Sequence, residues 1–416
     1  MKVFDYAMTM LKKDKKTTLR FIIVVSITVI INFIFFNMSL TPLITYVSFI
    51  VLLVTWFLLV YITNFYLTFK RQEIGMIYLN GGGVKDVFKY LVCQISCIFI
   101  FASIVGTILG ALILPLLYSI FNDIAGVKYT FSILGVNYLG PLIGILTMLV
   151  FSTVTALGYT NQNSITKLMN YSHINTLPNS RFLEARHVNL IYLMMYIVAI
   201  VAPLVASFRS FIDIIFVCSI MGIFGSLAIF GMIRRVFIQI IRKWAKKQGV
   251  TKNIMLVALS NYIITIQGSV VFIILFILMM ILCIPIFVAF NNSTVEYLFC
   301  IFIIVIMTLL IALGLICNFL VIGYKRSVEF RQLHYLGISN KDVYKMIKWE
   351  VILFYASIII LPLPILISII IRYFRGTNLV VNIIIFLVLV FVVFIITGFV
   401  NYKLYKKIYH GGNRND

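Results

Sequence analysis

Charged residues are absent from nine stretches of this chain that are each at least 20 residues long: 21–69, 90–122, 129–166, 187–208, 214–233, 253–295, 297–324, 351–371 and 376–402. About 20 consecutive apolar residues carry a helix across the hydrocarbon core of a bilayer. Lipid offers the backbone no hydrogen-bond partner, so segments of this kind must close their hydrogen bonds internally, as helices do. The fold class that follows is an all-α integral membrane protein. The first stretch is interrupted by Thr41-Pro42 and has room for two spans. The stretch 253–295 opens on Asn253 to Gly268, where Ser260, Asn261 and Gln267 mark an amphipathic approach helix on the membrane surface, followed by one span. The expected total is ten transmembrane helices.

The charge balance points the same way. Lys and Arg number 34 against 12 Asp and Glu, a net charge of +22. With both termini cytoplasmic, only Lys128, Arg209, Arg372 and Arg375 fall outside, leaving 34 − 4 = 30 basic residues on the cytoplasmic side. Lys and Arg near span ends set orientation, so the positive charge is a topology signal, and nucleic acid is not an expected partner. The basic leader before residue 21 is too polar for a signal-peptide core and is expected to remain on the protein.

An internal repeat organises the chain. Residues 70–94 (KRQEIGMIYLNGGGVKDVFKYLVCQ) align without a gap to residues 326–350 (RSVEFRQLHYLGISNKDVYKMIKWE). At a constant offset of 256 the identical pairs are Glu73/Glu329, Gly81/Gly337, Lys85/Lys341, Asp86/Asp342, Val87/Val343 and Lys89/Lys345. The implied layout is two four-helix repeats, 1–170 and 251–416, joined by a two-helix insert with a basic linker at 171–250. In the first copy a helix from about Thr68 to Leu79 is expected to stop at Asn80-Gly81-Gly82-Gly83, because glycine supplies the left-handed stop. The second copy is expected to stop at Gly337, with Asn340 capping the next helix. Each copy thus becomes a helix, a tight turn and a new helix entering the membrane. That is a blunt charged knob on the cytoplasmic side, and two equal knobs suit a partner with two equal sockets.

These residues resemble the FtsX-like permeases of ABC transporters. Glu329, Leu333, Leu336-Gly337, Ser339 and Glu350 stand where the family has its acid, its Leu-x-x-Leu-Gly stretch and the acid opening the next span. The first copy keeps Glu73, Ile77 and Gly81 but has Gln94 in place of that second acid. The 4 + 2 + 4 layout is similar to the ten-span permeases of bacterial bacitracin-resistance transporters, minus their large extracellular domain, since only about Asn291 to Glu296 joins the two spans concerned. The resemblance implies a multi-pass protein of the bacterial plasma membrane and a separate cytoplasmic ATPase dimer that binds ATP and Mg, two ATPase copies to one permease. It also implies an ATPase-coupling role for Arg71, Glu73, Gly81, Lys85 and Asp86 and for Arg326, Glu329, Gly337, Lys341 and Asp342.

The chain carries no nucleotide engine of its own that can be read from sequence. Gly81-Gly82-Gly83-Val84-Lys85-Asp86 lacks the spacing and final hydroxyl of a P-loop and follows a helix, not a strand. Cys93, Cys97, Cys218, Cys283, Cys300 and Cys317 suggest neither disulfides nor a metal site, and the four histidines are scattered. No catalytic residue, metal or cofactor is expected in this subunit. Two acids near span ends stand out, Asp213, four residues after Arg209, and Glu350, because an ionisable group at membrane depth is costly and often functional. Pro362 and Pro364 suggest a hinge in the ninth span. Two functions stay open. One is export or extraction of an amphipathic peptide or lipid, as in antimicrobial-peptide defence. The other is a mechanical relay that controls a sensor histidine kinase, a cell-wall hydrolase or a further membrane subunit.

Overall fold

The computed structural model describes residues 3–38, 42–125, 137–162, 186–205, 211–233, 254–289, 294–335, 338–373 and 377–412. All of the regular structure among them is helical. In chain order the helices are α1 (Val3–Lys13), α2 (Lys15–Asn37), α3 (Pro42–Phe69), α4 (Arg71–Leu79), α5 (Val84–Ala125), α6 (Leu139–Gln162) and α7 (Arg186–Val205). They continue as α8 (Phe211–Met232), α9 (Ile254–Gly268), α10 (Val270–Ala289), α11 (Thr294–Tyr335), α12 (Asn340–Ile360), α13 (Leu363–Tyr373) and α14 (Thr377–Gly412).

Seven described segments are long and apolar enough to cross a membrane, and an eighth joins them if the pair Val257–Gly268 and Val270–Ile281, bent by 72°, is one broken span. The nine charge-free tracts all contain helix, but Leu190–Val205 and Ile220–Met232 are shorter apolar helices, and the residues 206–210 between their parent helices lie outside the described residues. The protein is a multi-pass membrane protein. Helices α5 and α11 each run 42 residues, which at 1.5 Å per residue is about 63 Å, twice the hydrocarbon thickness. Each therefore extends beyond the bilayer, and the ends that extend carry the charged repeat. The break expected at Pro362 is present, between α12 and α13.

The chain divides into two compact units, Met1–His173 with Thr294–Phe299, and Ile174–Ser293 with Cys300–Asp416. In the first, α2 lies between α5 and α6 at backbone-to-side-chain distances that only glycine permits. A Cβ on Gly106 would stand 2.7 Å from Val29, and one on Gly110 2.9 Å from Phe33. On α6 a Cβ at Gly140 would meet Phe36 at 2.7 Å and one at Gly144 would meet the Asn32 amide at 2.5 Å. Both pairs are spaced Gly-x-x-x-Gly, the pattern that lets membrane helices approach closely where lipid supplies no hydrophobic drive. The buried Asn32 amide donates to the Pro141 carbonyl at 3.0 Å, pinning α2 to α6 inside the apolar interior. Overpacking a tight helix contact costs about 1–3 kcal/mol. Gly106→Leu is accordingly expected to lower the thermal stability of the purified protein, while Ile108→Leu, on the exposed side of the same helix, leaves it unchanged.

In the second unit, Phe319, Phe354, Tyr355 and Phe394 form a continuous aromatic cluster across α11, α12 and α14. The Asn401 amide donates to the Tyr355 hydroxyl at 2.7 Å and links α14 to α12 at the same level. Helix α9, expected as a surface approach helix, is bent by 72° from α10 and buries Tyr262, Ile263 and Ile266 within the second unit.

Candidate functional site

In the first copy of the repeat, α4 ends in a Schellman turn. Gly81 has φ +82°, its N–H bonds the Tyr78 carbonyl at 3.0 Å, and the Gly82 N–H reaches back to the Ile77 carbonyl at 3.0 Å. A Cβ on Gly82 would stand 2.8 Å from that carbonyl oxygen. Gly81→Ala is expected to cost about 1 kcal/mol, since an L side chain resists positive φ. Gly82→Ala is expected to cost more, because its clash is with backbone, and comparing thermal unfolding of the two variants checks the order.

Helix α5 then starts at Val84, with the Gly83 N–H donating to the Asp86 carboxylate at 3.1 Å. In the second copy the cap is Ser339, not Asn340 as expected: its hydroxyl accepts from the Asp342 N–H and donates to the Asp342 carboxylate at 2.7 Å. Gly83 and Ser339 are themselves related by the offset of 256. Asn340 is already inside the helix and accepts from the Tyr409 hydroxyl. Asp86 and Asp342 are thus accounted for as capping-box acids that satisfy the first turn of a helix. Val87 and Val343 are buried, while Lys85, Lys89, Lys341 and Lys345 are exposed. Identity across the repeat therefore separates by role into local capping, packing and outward-facing charge.

Glu73 does not pair with Arg71 or Lys85. Its carboxylate accepts from the Lys70 ammonium at 2.7 Å and from the Tyr90 hydroxyl. Lys70 is fully buried and also holds Asp14, at the junction of α1 and α2, at 2.9 Å. Gln94 continues the network, accepting from the Tyr66 hydroxyl at 2.9 Å and donating to the Tyr90 hydroxyl at 2.8 Å and to the Ala7 carbonyl at 3.3 Å. The Tyr6 ring lies 5.5 Å from Tyr90, and burial together with the Glu73 carboxylate pushes its phenol above the ordinary value, Lys70 partly offsetting them. One cation thereby ties α1, α3, α4 and α5 together.

At the matching position of the second copy stands Arg326, also buried. Its guanidinium donates to Glu350 at 2.6 Å, to the Asn261 carbonyl at 2.8 Å and to the Tyr405 hydroxyl at 3.3 Å. The Thr265 hydroxyl also donates to Glu350. This second node joins α9, α11, α12 and α14. In both copies a buried cation at the start of the repeat meets a helix that precedes the unit's first long span. The acid has moved: position 350 supplies it in the second copy, whereas its counterpart Gln94 is neutral and Glu73 with Asp14 supply it in the first. The Glu350 side chain is completely buried, so a charge there is tolerable only with its partner.

Arg71 opens α4, half-buried. Gly337 and Leu336 lie outside the described residues, as do the side chains of Glu329, Leu333 and Asp213, although Glu329 falls on α11 and Asp213 on α8. Among the described residues there is no cluster of His, Cys, Asp and Glu suited to a metal ion. The turn of the first copy also exposes three large apolar side chains, Met76, Leu79 and Val84. Apolar residues at a solvated, lysine-rimmed turn lie ready for a protein partner.

Residues 45–164 match the family model of the FtsX-like permease C-terminal domain. This segment is similar to the FtsX-like permease domain. The match runs from α3 to just beyond the end of α6 and includes the whole first node except Asp14 and α1. No curated protein matches the chain. FtsX-like permeases are membrane subunits of ABC transporters that work with ABC ATPases.

Proposed function

We propose that this chain is the permease of a bacterial ABC transporter, with ten spans in two FtsX-like repeats and a two-helix insert, and with both termini cytoplasmic. A separate ATPase dimer binds ATP and Mg and docks one subunit on each knob. The observation that carries this reading is the turn between α4 and α5: Leu79, Met76 and Val84 exposed, Lys85 and Lys89 beside them, and the buried Lys70 ammonium holding both Glu73 and the half-exposed Asp14. Such a turn grips a partner through its apolar tip and passes movement on through its buried charges. Extraction or export of an amphipathic peptide or lipid fits a chain whose faces on α5, α6 and α14 are apolar and exposed along their length.

Leu79→Asp with Val84→Asp is expected to leave the chain inserted but to abolish recovery of the ATPase with it. Full recovery would show that the tip does not dock. Topology is tested separately with single cysteines at Ser293 and Lys407. Labelling from opposite faces of the membrane is expected, and labelling from the same face would break the ten-span layout.

A further inference from the structure

Helices α12 and α14 of the second unit carry a basic surface. Helix α12 presents Lys341, Lys345 and Lys348, and α14 presents Lys403, Lys406 and Lys407. The two groups lie together, because the Lys406 ammonium sits 4.6 Å above the Tyr344 ring, Tyr344 packs on Tyr409 at 5.6 Å, and the Tyr409 hydroxyl bonds Asn340. The acids on these two helices are committed elsewhere. The acids of α12 and α14 are Asp342 and Glu350; Asp342 is committed to the Ser339 cap and Glu350 is buried against Arg326.

Two features fix the depth of this surface at the edge of the bilayer. Trp349 is exposed next to Lys348, one turn from the exposed Ile352, and tryptophan concentrates at the headgroup level. The Lys403 ammonium turns back over Phe399, an exposed ring on the apolar side of α14, at 4.5 Å. The docking lysines shared by both copies, Lys85/Lys341 and Lys89/Lys345, do not explain the rest. Position 92 is Val where the second copy has Lys348, and position 93 is Cys where it has Trp349. A demand common to both knobs would have appeared in both.

We infer that the α12–α14 surface binds the phosphate headgroup of an anionic phospholipid, through Lys348, Lys403 and Lys407 with Lys406 and Tyr344 behind them. Clusters of four to eight basic residues at the end of a membrane helix attract anionic lipid, each lysine contributing about five-fold in affinity. Trp349 anchors the same helix among the headgroups. The inference needs membrane residence but not an ATPase, so it stands or falls apart from the proposed function.

The full chain is reconstituted in phosphatidylcholine containing phosphatidylglycerol, and retained lipid is counted by native mass measurement. Wild type is expected to retain phosphatidylglycerol in preference to phosphatidylcholine and to lose that preference as ionic strength rises. The triple variant Lys348→Gln, Lys403→Gln, Lys407→Gln is expected to lower retention about ten-fold or more, whereas Lys85→Gln with Lys89→Gln leaves it unchanged. Equal retention by wild type and triple variant overturns the inference. Equal loss in both variants overturns it too, as does a wild-type preference insensitive to salt. A triple variant that keeps its lipid but no longer recovers the ATPase would make the surface a protein-docking face instead. The salt dependence of wild type decides the matter even if the triple variant fails to fold.

Discussion

Arg326→Ala is expected to destabilise the second unit by about 3–5 kcal/mol, the cost of leaving a buried carboxylate without its cation. Glu350 is wholly enclosed, and Arg326 is the cation paired with it among the described residues. The variant therefore loses much of the folded protein at moderate temperature. Arg326→Met combined with Glu350→Leu is expected to recover most of that loss, because replacing both members of a buried pair with apolar groups is often near neutral. Lys70→Ala is milder, about 1–3 kcal/mol, since the Asp14 side chain it abandons is nearly half exposed, 46% against 0% for Glu350, and turns to water. Thermal unfolding of the four proteins in detergent checks the ranking. An Arg326→Ala protein as stable as wild type would show that the pair is not buried in the folded chain.

The second large effect falls on coupling. Glu73→Ala strips the carboxylate that joins Lys70 to Tyr90, while Lys70 keeps Asp14. The chain is expected to insert normally, but α4 is no longer tied to α5, and recovery of the ATPase falls about ten-fold, the worth of a charge-assisted bond of ~1.5 kcal/mol. Adding Glu329→Ala is expected to deepen the loss, and Glu73→Gln to retain part of the coupling by keeping one hydrogen bond to Tyr90. Lys85→Gln with Lys89→Gln keeps the buried cluster whole, so any loss of ATPase recovery there belongs to direct docking. Unchanged ATPase recovery and unchanged transport-linked ATP turnover in the double glutamate variant would show that neither acid takes part in coupling.

The span tracts, the turn at Gly81 and the ionisable positions 73, 326 and 350 were legible from sequence because each leaves a local mark: a charge-free run, a glycine triplet, an ion at a span end. The partners were not. Searching the repeat for identical residues passes over Lys70, which faces Arg326 across the offset as a different cation, and a search for the charge itself would have found it. Ala7 on α1 and Asp14 just after it lie far upstream of Glu73 in the chain, and only packing brings them together. Gln94 reads as a departure because its carboxylate counterpart has moved to another helix, a compensation visible only in three dimensions. Gly106-x-x-x-Gly110 and Gly140-x-x-x-Gly144 carried a signal for close helix approach, but sequence alone does not say which helix approaches. The expected Asn340 cap missed by one residue, since Ser339 and Asn340 are both good caps and the choice rests on backbone geometry.

The proposed function rests on one chain of this kind, inert toward ATP by itself, carrying two ATPase subunits. Intact mass measurement of the complex purified from its own membrane, with ATP hydrolysis followed on the complex and on the isolated chain, tests it most directly. The expected result is one permease to two ATPases, with hydrolysis only in the complex. Two permeases per ATPase dimer, or sustained hydrolysis by this chain alone, would contradict it.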